Sequence, residues 1–548
     1  MMYGQMTDPV AITALGQLLA ERLYEAGVRR AYGFPGGGSN LDLMERFEDA
    51  GITWVLAHTE GGAAFMACAD AEINRVPGVL VVGNGPGLAS AVNGVAHAWL
   101  DRVPLVVISD RYTEAEAATS GHQVLDQRAL LAPVVKYGAT LEPVSAAQVV
   151  DEALVACQTA PWGPVHFDMR RDAAGEYIPS RGQALKPVSR GGVDREAVVA
   201  LADRLLAAER PVVLIGLEAN EGVSPQDLKR IVHETGAVAL TTYKAKGIYP
   251  ENDPRWAGIL TGAEIERPFL EHADLLVAVG LDVVELLGRP WPYESPVLSI
   301  AASEESDGLL APERRVVGDI AEAVSMLAGL VGHAPPSEGF SEREVEGLRE
   351  AALSSLRLDD EEPLPAWRIV ETVMAQLPAQ TTLTVDAGAH MFPVTNFARL
   401  EGRGRFLISN GLATMGFAVP SALGAALARP GEVSVAFTGD GGMAYHADEL
   451  ETAVRVGAKV IVVVFNDSSL SLIRIKQEAK GFMRSPLNFG LTRFDLLAEA
   501  LGVYGVMVED EAGLRTAVKE AVGRDGSTVI DVRMTGQEYR RTLEAVRG

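Results

Sequence analysis

Cysteine is nearly missing from this chain: only Cys68 and Cys157 occur among 548 residues, neither in a closely spaced group. A disulfide framework and a thiolate zinc site both need clustered cysteines, so neither is expected. Long apolar runs are missing as well. None approaches the roughly 20 residues required to span a bilayer, and MMYGQMTDPVAITA at the N-terminus lacks a basic stretch followed by an apolar core. Positive charge is in deficit, with 48 Lys and Arg against 73 Asp and Glu and a formal net charge of −25. Phosphate-rich partners are not drawn to such a surface, which argues against nucleic acid and against an anionic membrane. The G-x-G-x-x-G and Walker P-loop patterns do not occur, so a nicotinamide or nucleoside-triphosphate enzyme has no fingerprint here. The expectation is a soluble, cytoplasmic protein.

Apolar residues make up 48% and charged residues 22%, an ordinary globular balance, and the chain is too long for a single core. Two stretches rich in Pro, Gly, Ser and charge, 174–192 and 334–345, read as linkers. They divide the chain into pieces at 1–180, 190–335 and 350–548. Each piece alternates short β-branched runs with longer amphipathic stretches. GVLVVGN (78–84) and PLVVISD (104–110) lie in the first, PVVLIGL (211–217) and DLLVAVG (274–280) in the second, VSVAFTG (433–439) and KVIVVVFND (459–467) in the third. Runs so uniformly apolar read as strands buried on both faces, as in parallel sheets covered by helices. The expected fold is α/β, with three doubly wound parallel-sheet domains.

In such sheets ligands lie at the carboxyl ends of the strands. GFPGGG (33–38), GNGPG (83–87) and TGDGG (438–442) fall at such ends, where glycine lets the backbone approach a ligand. Any one of them alone would be an ordinary tight turn. The third carries more. Asp440 closes the strand VSVAFTG, Gly441 and Gly442 follow, a helical stretch runs through HADELETAVRV, and the next strand ends at Asn466 and Asp467. A βαβ unit brings the ends of its two strands to one edge, so Asp440 and Asp467 can converge on one cation. Hard oxygen ligands of this kind suit Mg²⁺, which takes its remaining ligands from phosphate or water. Backbone N–H groups at Gly441 and Gly442 are free to face the phosphate.

GDGG, ELETA and a strand closing in Asn-Asp together resemble the signature of the thiamine-diphosphate-dependent enzymes. The resemblance implies thiamine diphosphate and Mg²⁺ as cofactors, with Asp440, Asp467 and the carbonyl of Ser469 as metal ligands. Asp467 departs from the commoner Asn and adds a negative charge. Gly439, Gly441, Gly442, Leu470, Ser471 and Leu472 fall at positions that contact the cofactor. WVLAHTEGGAAFMACADA (54–71) resembles the family's strand and helix start that carry a glutamate, here Glu60. That carboxyl would hydrogen-bond the pyrimidine nitrogen and favour the imino form, whose nitrogen takes the thiazolium C2 proton; an apolar pocket would raise its pKa. ISNGLATMGFAVPSALGAA (408–426) resembles the stretch that holds the aminopyrimidine, with Ala413 in contact and Met415 as the bulky residue that bends the cofactor. DAGAH (386–390) resembles the loop on the diphosphate, with Gly388, Ala389 and His390 in contact. The domain order implied is pyrimidine-binding, central, diphosphate-binding.

Within that family the chain resembles the acetolactate synthase-like branch. GFPGGG, with Pro35 and Gly36 toward the cofactor, resembles the branch's glycine loop and lacks the Asp of pyruvate decarboxylases. GHQVLDQRALLAPVVKYG (121–138) resembles the segment supplying a Gln that faces the thiazolium and a Lys thirteen residues on, here Gln123 and Lys136. His122 stands where Phe is usual, and the decarboxylase His-His pair is absent. The implied reaction is carboligation, in which a 2-oxo acid loses CO₂ and its acyl carbanion equivalent passes to a second carbonyl. The alternative is simple 2-oxo acid decarboxylation with release of an aldehyde, for which His122 could serve as the acid. VGLDVVELLGRPWPY (279–293) has Asp282 and Leu286 where the branch has arginines that hold a flavin and the second substrate, which makes FAD doubtful and leaves the acceptor unnamed. In the family the pyrimidine and diphosphate domains of different subunits face each other. A homodimer is therefore the implied minimal active unit, with a homotetramer as the larger option.

Overall fold

The computed structural model describes residues 12–179, 191–286, 291–304, 310–332, 339–357, 364–482 and 486–547. The chain divides into two compact units, Met1–Ser189 and Arg190–Gly548. The first contains β1 (Ile12–Ala14), β2 (Arg30–Phe34), β3 (Thr53–Leu56), β4 (Gly78–Val82), β5 (Leu105–Arg111), β6 (Tyr137–Leu141), β7 (Val165–Arg170) and β8 (Tyr177–Pro179). Six of them form a wholly parallel sheet in the order β3-β2-β4-β5-β7-β6. The order runs outward in both directions from β2 and β4, so the switch point lies between those strands. β4 is buried at all five positions, as its uninterrupted apolar run requires.

β1 and β8 form a separate antiparallel pair, with Thr13 opposite Ile178. The stretch 174–192, expected as a linker, therefore opens in ordered structure, with Ile178 buried. A three-residue strand with one inward position is too short to leave a period-two signal. Residues 180–190 of that stretch lie outside the described residues.

The second unit holds two more six-stranded sheets. Its earlier strands are β9 (Pro211–Ile215), β10 (Val238–Thr241), β11 (Trp256–Ile259), β12 (Leu275–Val279), β13 (Val297–Ala301) and β14 (Arg314–Val317). They pair in parallel in the order β11-β10-β9-β12-β13-β14. Its later strands are β15 (Thr382–Val385), β16 (Phe406–Ile408), β17 (Ser434–Gly439), β18 (Val460–Asn466), β19 (Tyr504–Val508) and β20 (Thr528–Arg533). These pair in parallel in the order β16-β15-β17-β18-β20-β19. The switch points fall between β9 and β12 and between β15 and β17. All three sheets are thus parallel and doubly wound, as the apolar runs indicated. The second expected linker, 334–345, is also partly ordered. Ser341 caps the helix Glu342–Leu356, its Oγ accepting from Glu344 N at 3.2 Å. The acidic first turn that suits a helix N-terminus made this stretch read as solvated chain.

Within this unit the second and third sheets are joined through the loop after β10. Lys246 Nζ donates to both oxygens of Glu251 at 2.9 and 2.7 Å, with both side chains buried. Glu251 also accepts from Gly247 N at 3.1 Å and from Leu400 N at 3.0 Å. Gly402 N donates to Gly247 O at 2.9 Å beside them. Removing one member of a buried pair leaves an uncompensated charge. Lys246→Met should therefore cost about 3–5 kcal/mol of unfolding free energy in urea. Adding Glu251→Gln, which removes the charge and keeps an acceptor for one of the two backbone donors, should recover part of that loss. A Lys246→Met cost below about 1 kcal/mol would show that the pair is not what joins the sheets.

Candidate active site

β17 and β18 are neighbours in parallel register, with Gly439 opposite Phe465. Asp440 is the first residue past β17 and Asp467 the first past β18, so the fold delivers two carboxylates to one edge. Asp440 opens the short helix Asp440–Met443. Its Oδ1 accepts from Gly441 N at 2.6 Å and its Oδ2 from Ser469 N at 3.0 Å. Asp467 accepts from the Ser471 hydroxyl. Burial, and then the neighbouring Asp467, push the Asp440 carboxyl up to about 6. Burial raises Asp467 as well. Two desolvated acids, the second raising the first, are a donor set of the kind that could hold a cation. The Nδ2 of Asn466 points away, donating to Asp531 Oδ1 at 2.8 Å and to Thr492 O at 3.2 Å.

The glycines mark where the backbone is approached closely. A Cβ on Gly441 would lie 2.8 Å from Met415 Cε and 3.3 Å from Leu470 Cδ2. Met415, Gly441 and Leu470 therefore meet, beside a cleft of about 490 Å³ lined by Asp440, Gly441, Tyr445, Asn466, Phe489 and Phe494. A Cβ on Gly388 would lie 2.6 Å from His390 Cε1, and one on Gly439 3.4 Å from the same ring. The His390 imidazole thus sits between the loops that follow β15 and β17, stacked on Phe465 with centroids 5.4 Å apart. Burial pushes it down to about 4, so it is neutral, and its Nε2 has no hydrogen-bond partner. A buried, unpartnered ring nitrogen beside glycines fits a ligand oxygen at this point. Ala389 is buried, Ser471 is buried and Leu472 is half-buried. Ala413 holds φ +53, a conformation that a non-glycine residue adopts only under constraint.

Asp386 was not among the residues expected here. It is fully buried and accepts from Thr438 Oγ1 at 2.5 Å and from Ala418 N at 2.8 Å. It thereby fixes the start of the helix Ala418–Ala428 and the turn carrying Met415. The sequence signal was its place just past a strand end, as the first residue of the loop already singled out.

The first unit places Glu60 as the first residue of the helix Glu60–Asn74, where Thr59 Oγ1 accepts from Gly62 N at 3.0 Å. The Glu60 carboxyl faces the start of the helix Pro86–Leu100, with Oε1 3.3 Å from where a Cβ on Gly87 would stand. Gly36 approaches Gly83 closely, a Cβ on it lying 3.1 Å from the Gly83 Cα, so the loops after β2 and β4 meet at the switch point. Pro35 precedes this contact and is half-buried. Behind the loop stands Asp110, also not expected. Burial pushes its carboxyl up to about 7, while the backbone N–H groups of Asn40 and Gly38 bond to it. Gln123 is exposed at φ +57, and His122 beside it is exposed. Lys136 is engaged elsewhere: its Nζ donates to Ala156 O at 2.7 Å and Thr159 O at 2.5 Å, capping the end of the helix Ala146–Gln158.

At the switch point of the second sheet the loops after β9 and β12 are bonded to each other, Gly216 N to Val279 O and Glu218 N to Gly280 O, both at 2.9 Å. Asp282 caps the turn Val283–Glu285. Glu285 turns back and accepts from Leu217 N at 2.8 Å, Asp282 N at 3.1 Å and the Thr242 hydroxyl. A Cβ on Gly216 would lie 2.5 Å from Gly280 O and 2.6 Å from Glu285 Oε2. No helix of the described residues is long and apolar enough to cross a membrane.

Three family models match the chain. Residues 13–130 match the thiamine pyrophosphate enzyme N-terminal TPP binding domain, 198–327 the central domain and 386–532 the C-terminal TPP binding domain. Acetolactate synthase of Bacillus subtilis (strain 168) is 27% identical over 537 residues, covering 94% of this chain and 92% of that protein. Catabolic acetolactate synthase of Raoultella terrigena is 29% identical over 542 residues, covering 94% of each. Among solved structures, the Rhodococcus jostii RHA1 thiamine diphosphate-dependent 4-hydroxybenzoylformate decarboxylase shares the fold with a TM-score of 0.83. It is 19% identical and covers 95% of this chain and 99% of that one.

The Asp440 carboxyl is raised in the fold, so its ionisation weakens the folded state as pH climbs from the ordinary carboxylate range to about 6. A cation selects the ionised form. Stabilisation by Mg²⁺ should therefore be full above about 6 and fade as pH falls below it. Thermal unfolding with and without Mg²⁺ should show a gain near pH 7.5 that shrinks sharply near about pH 5, and Asp467→Asn should reduce the gain throughout. An equal Mg²⁺ response at both pH values would count against this pair as the cation site.

Proposed function

Since the chain belongs to the thiamine-diphosphate-dependent enzymes, in their acetolactate synthase-like branch, we propose that it is a carboligase. It would cleave a 2-oxo acid, release CO₂ and pass the acyl carbanion equivalent to a second carbonyl. The observation that carries this reading is the convergence of Asp440 and Asp467 with Gly441, Met415 and Leu470 at one sheet edge. Asp440, Asp467 and the carbonyl of Ser469 would hold Mg²⁺. The backbone at Gly388, Ala389, Gly439, Gly441, Gly442, Leu470, Ser471 and Leu472 would line the diphosphate, with His390 Nε2 directed to one of its oxygens. Met415 and Ala413 would support the rings, and Pro35 and Gly36 would close over them.

Bound there, thiamine diphosphate supplies the nucleophilic carbon and the electron sink for cleavage beside a carbonyl. Glu60 holds a proton at the pyrimidine nitrogen, a task suited to a carboxyl fixed on the first turn of a helix. Gln123 orients the acceptor carbonyl by hydrogen bonding. His122, exposed beside it, is the group that could instead deliver a proton and end the reaction as an aldehyde. FAD has no part in this reading, because Glu285 and the bonded loops occupy the central switch point. Glu60 and Asp440 belong to different compact units. We take the homodimer, in which one subunit's Glu60 serves the cofactor held by its partner, as the minimal active form.

Proton NMR of products from pyruvate, thiamine diphosphate and Mg²⁺, with and without an added aldehyde, tests the reaction. Acetolactate or a mixed acyloin is expected, and acetaldehyde alone would replace carboligation by decarboxylation. Glu60→Ala should lower turnover by at least about 100-fold while leaving Mg²⁺-dependent cofactor binding by calorimetry largely intact. Mixing Glu60→Ala with Asp440→Ala chains should restore part of the activity, and mixed dimers that form but stay inactive would rule out a shared site.

A further inference from the structure

Residues 121–126, the segment that carries His122 and Gln123, are all exposed, whereas Gln127 immediately after them is buried to 5%. Gln127 opens the short helix Gln127–Leu131, and its carboxamide is used at both ends. Oε1 accepts from Gly85 N at 2.9 Å. Nε2 donates to Asp110 O at 2.8 Å and to Ser109 Oγ at 3.3 Å. Ser109 Oγ in turn lies 2.8 Å from His166 Nε2 on β7, and burial pushes that imidazole down to about 4, so it is neutral. One side chain therefore binds the loop after β4 to the end of β5, with β7 behind it.

Gly85 is also the residue against which Gln123 rests. It holds φ +64, and a Cβ on it would lie 2.6 Å from Gln123 O and 3.2 Å from Gln123 Cβ. Asn84 Nδ2 reaches Gln123 O at 3.4 Å. Gln123 itself holds φ +57, a posture that a non-glycine residue keeps only when its surroundings impose it. We propose that Gln127 is a positioning residue: its buried carboxamide clamps Gly85 and the end of β5, and through that contact holds Gln123 in the conformation in which it meets the acceptor carbonyl. The last clause rests on the function proposed above, while the clamp rests on the hydrogen bonds alone.

Two variants and two readouts separate these parts. Chymotryptic cleavage at exposed Leu125 in the cofactor-free protein reads the clamp directly. Gln127→Ala should speed it by about tenfold, since it removes three neutral hydrogen bonds of modest net worth. Unchanged cleavage would overturn the clamp. With pyruvate, the holoenzyme of Gln127→Ala should show a raised KM for the acceptor step and a several-fold shift from carboligation product toward acetaldehyde, with the cofactor Kd unchanged. A uniform fall in kcat with an unchanged product ratio would overturn the positioning role. Gln127→Glu sharpens the test. When its carboxyl is protonated it can still donate to Asp110 O, so at low pH it should behave as wild type. Once ionised it still accepts from Gly85 N but no longer donates to Asp110 O, so its product ratio should move part of the way toward that of Gln127→Ala. A product ratio insensitive to pH in that variant would also overturn the proposal. If wild type makes no carboligation product while cleavage at Leu125 still responds to Gln127→Ala, the clamp stands and the proposed reaction fails.

Discussion

The whole candidate site depends on burying two acids side by side. Parallel pairing of β17 and β18 places Asp440 and Asp467 just past adjacent strand ends. Strand side chains alternate faces, so a one-residue slip would send them to opposite sides. The register is secured by strands buried along nearly their full length, β18 at all seven positions. The electrostatic cost appears as the raised Asp440 carboxyl, with burial as the larger cause and Asp467 the next. A divalent cation would turn the repulsion into shared attraction.

A second layer of acids holds that pair in place. Asp386 bonds Thr438, the residue two before Asp440, and the first backbone N–H of the helix behind Met415. On the far side Asp531 takes Asn466 Nδ2 at 2.8 Å and Phe494 N at 3.1 Å. Both are buried and both are raised by burial. Each accepts from groups on segments distant in sequence, so each fixes a loop at the cleft to a strand of the sheet. Hydrogen bonds of this kind contribute little net stability apiece, yet leaving any of their donors unpaired is costly. The arrangement therefore selects one loop conformation over others and adds little to the total.

The apolar runs that read as strands are strands, Asp440 stands just past a strand end, and Glu60 stands at the helix start that the family resemblance implied. These were legible because their signals are local: an unbroken β-branched run, a glycine cluster, an acid at a strand's end. The functions of Asp110, Asp386 and Gln127 were not legible, since each depends on partners brought close by folding: Gly38 and Asn40 for Asp110, Ala418 and Thr438 for Asp386, Gly85 and Asp110 for Gln127. No periodicity reports which backbone N–H a carboxyl will meet. Parts of the two stretches taken as linkers are ordered for a related reason. Tyr177–Pro179 is ordered by pairing with a strand more than 160 residues earlier, and Glu342–Leu356 by a serine cap whose acidic first turn looks like solvated chain.

The same doubly wound sheet occurs three times, and the groups at the switch point distinguish the copies. In the third sheet the gap between β15 and β17 holds His390, neutral and with Nε2 unpartnered. In the first, the loop after β2 at its switch point has Asn40 behind it, fully buried with both side-chain polar atoms unpartnered, and Asp110 with an unpartnered Oδ1. Buried polar groups left without partners are expensive unless something else satisfies them. In the second sheet the equivalent place is taken by Glu285, whose oxygens accept from Leu217, Asp282 and Thr242, between loops already bonded to each other. Among the described residues, the oxygens of Glu285 are all engaged within the chain. The outer sheets keep unsatisfied polar groups where a bound molecule would supply the missing bonds, and the central sheet has supplied its own. The second sheet is tied to the third through Lys246 and Glu251 on the loop after β10.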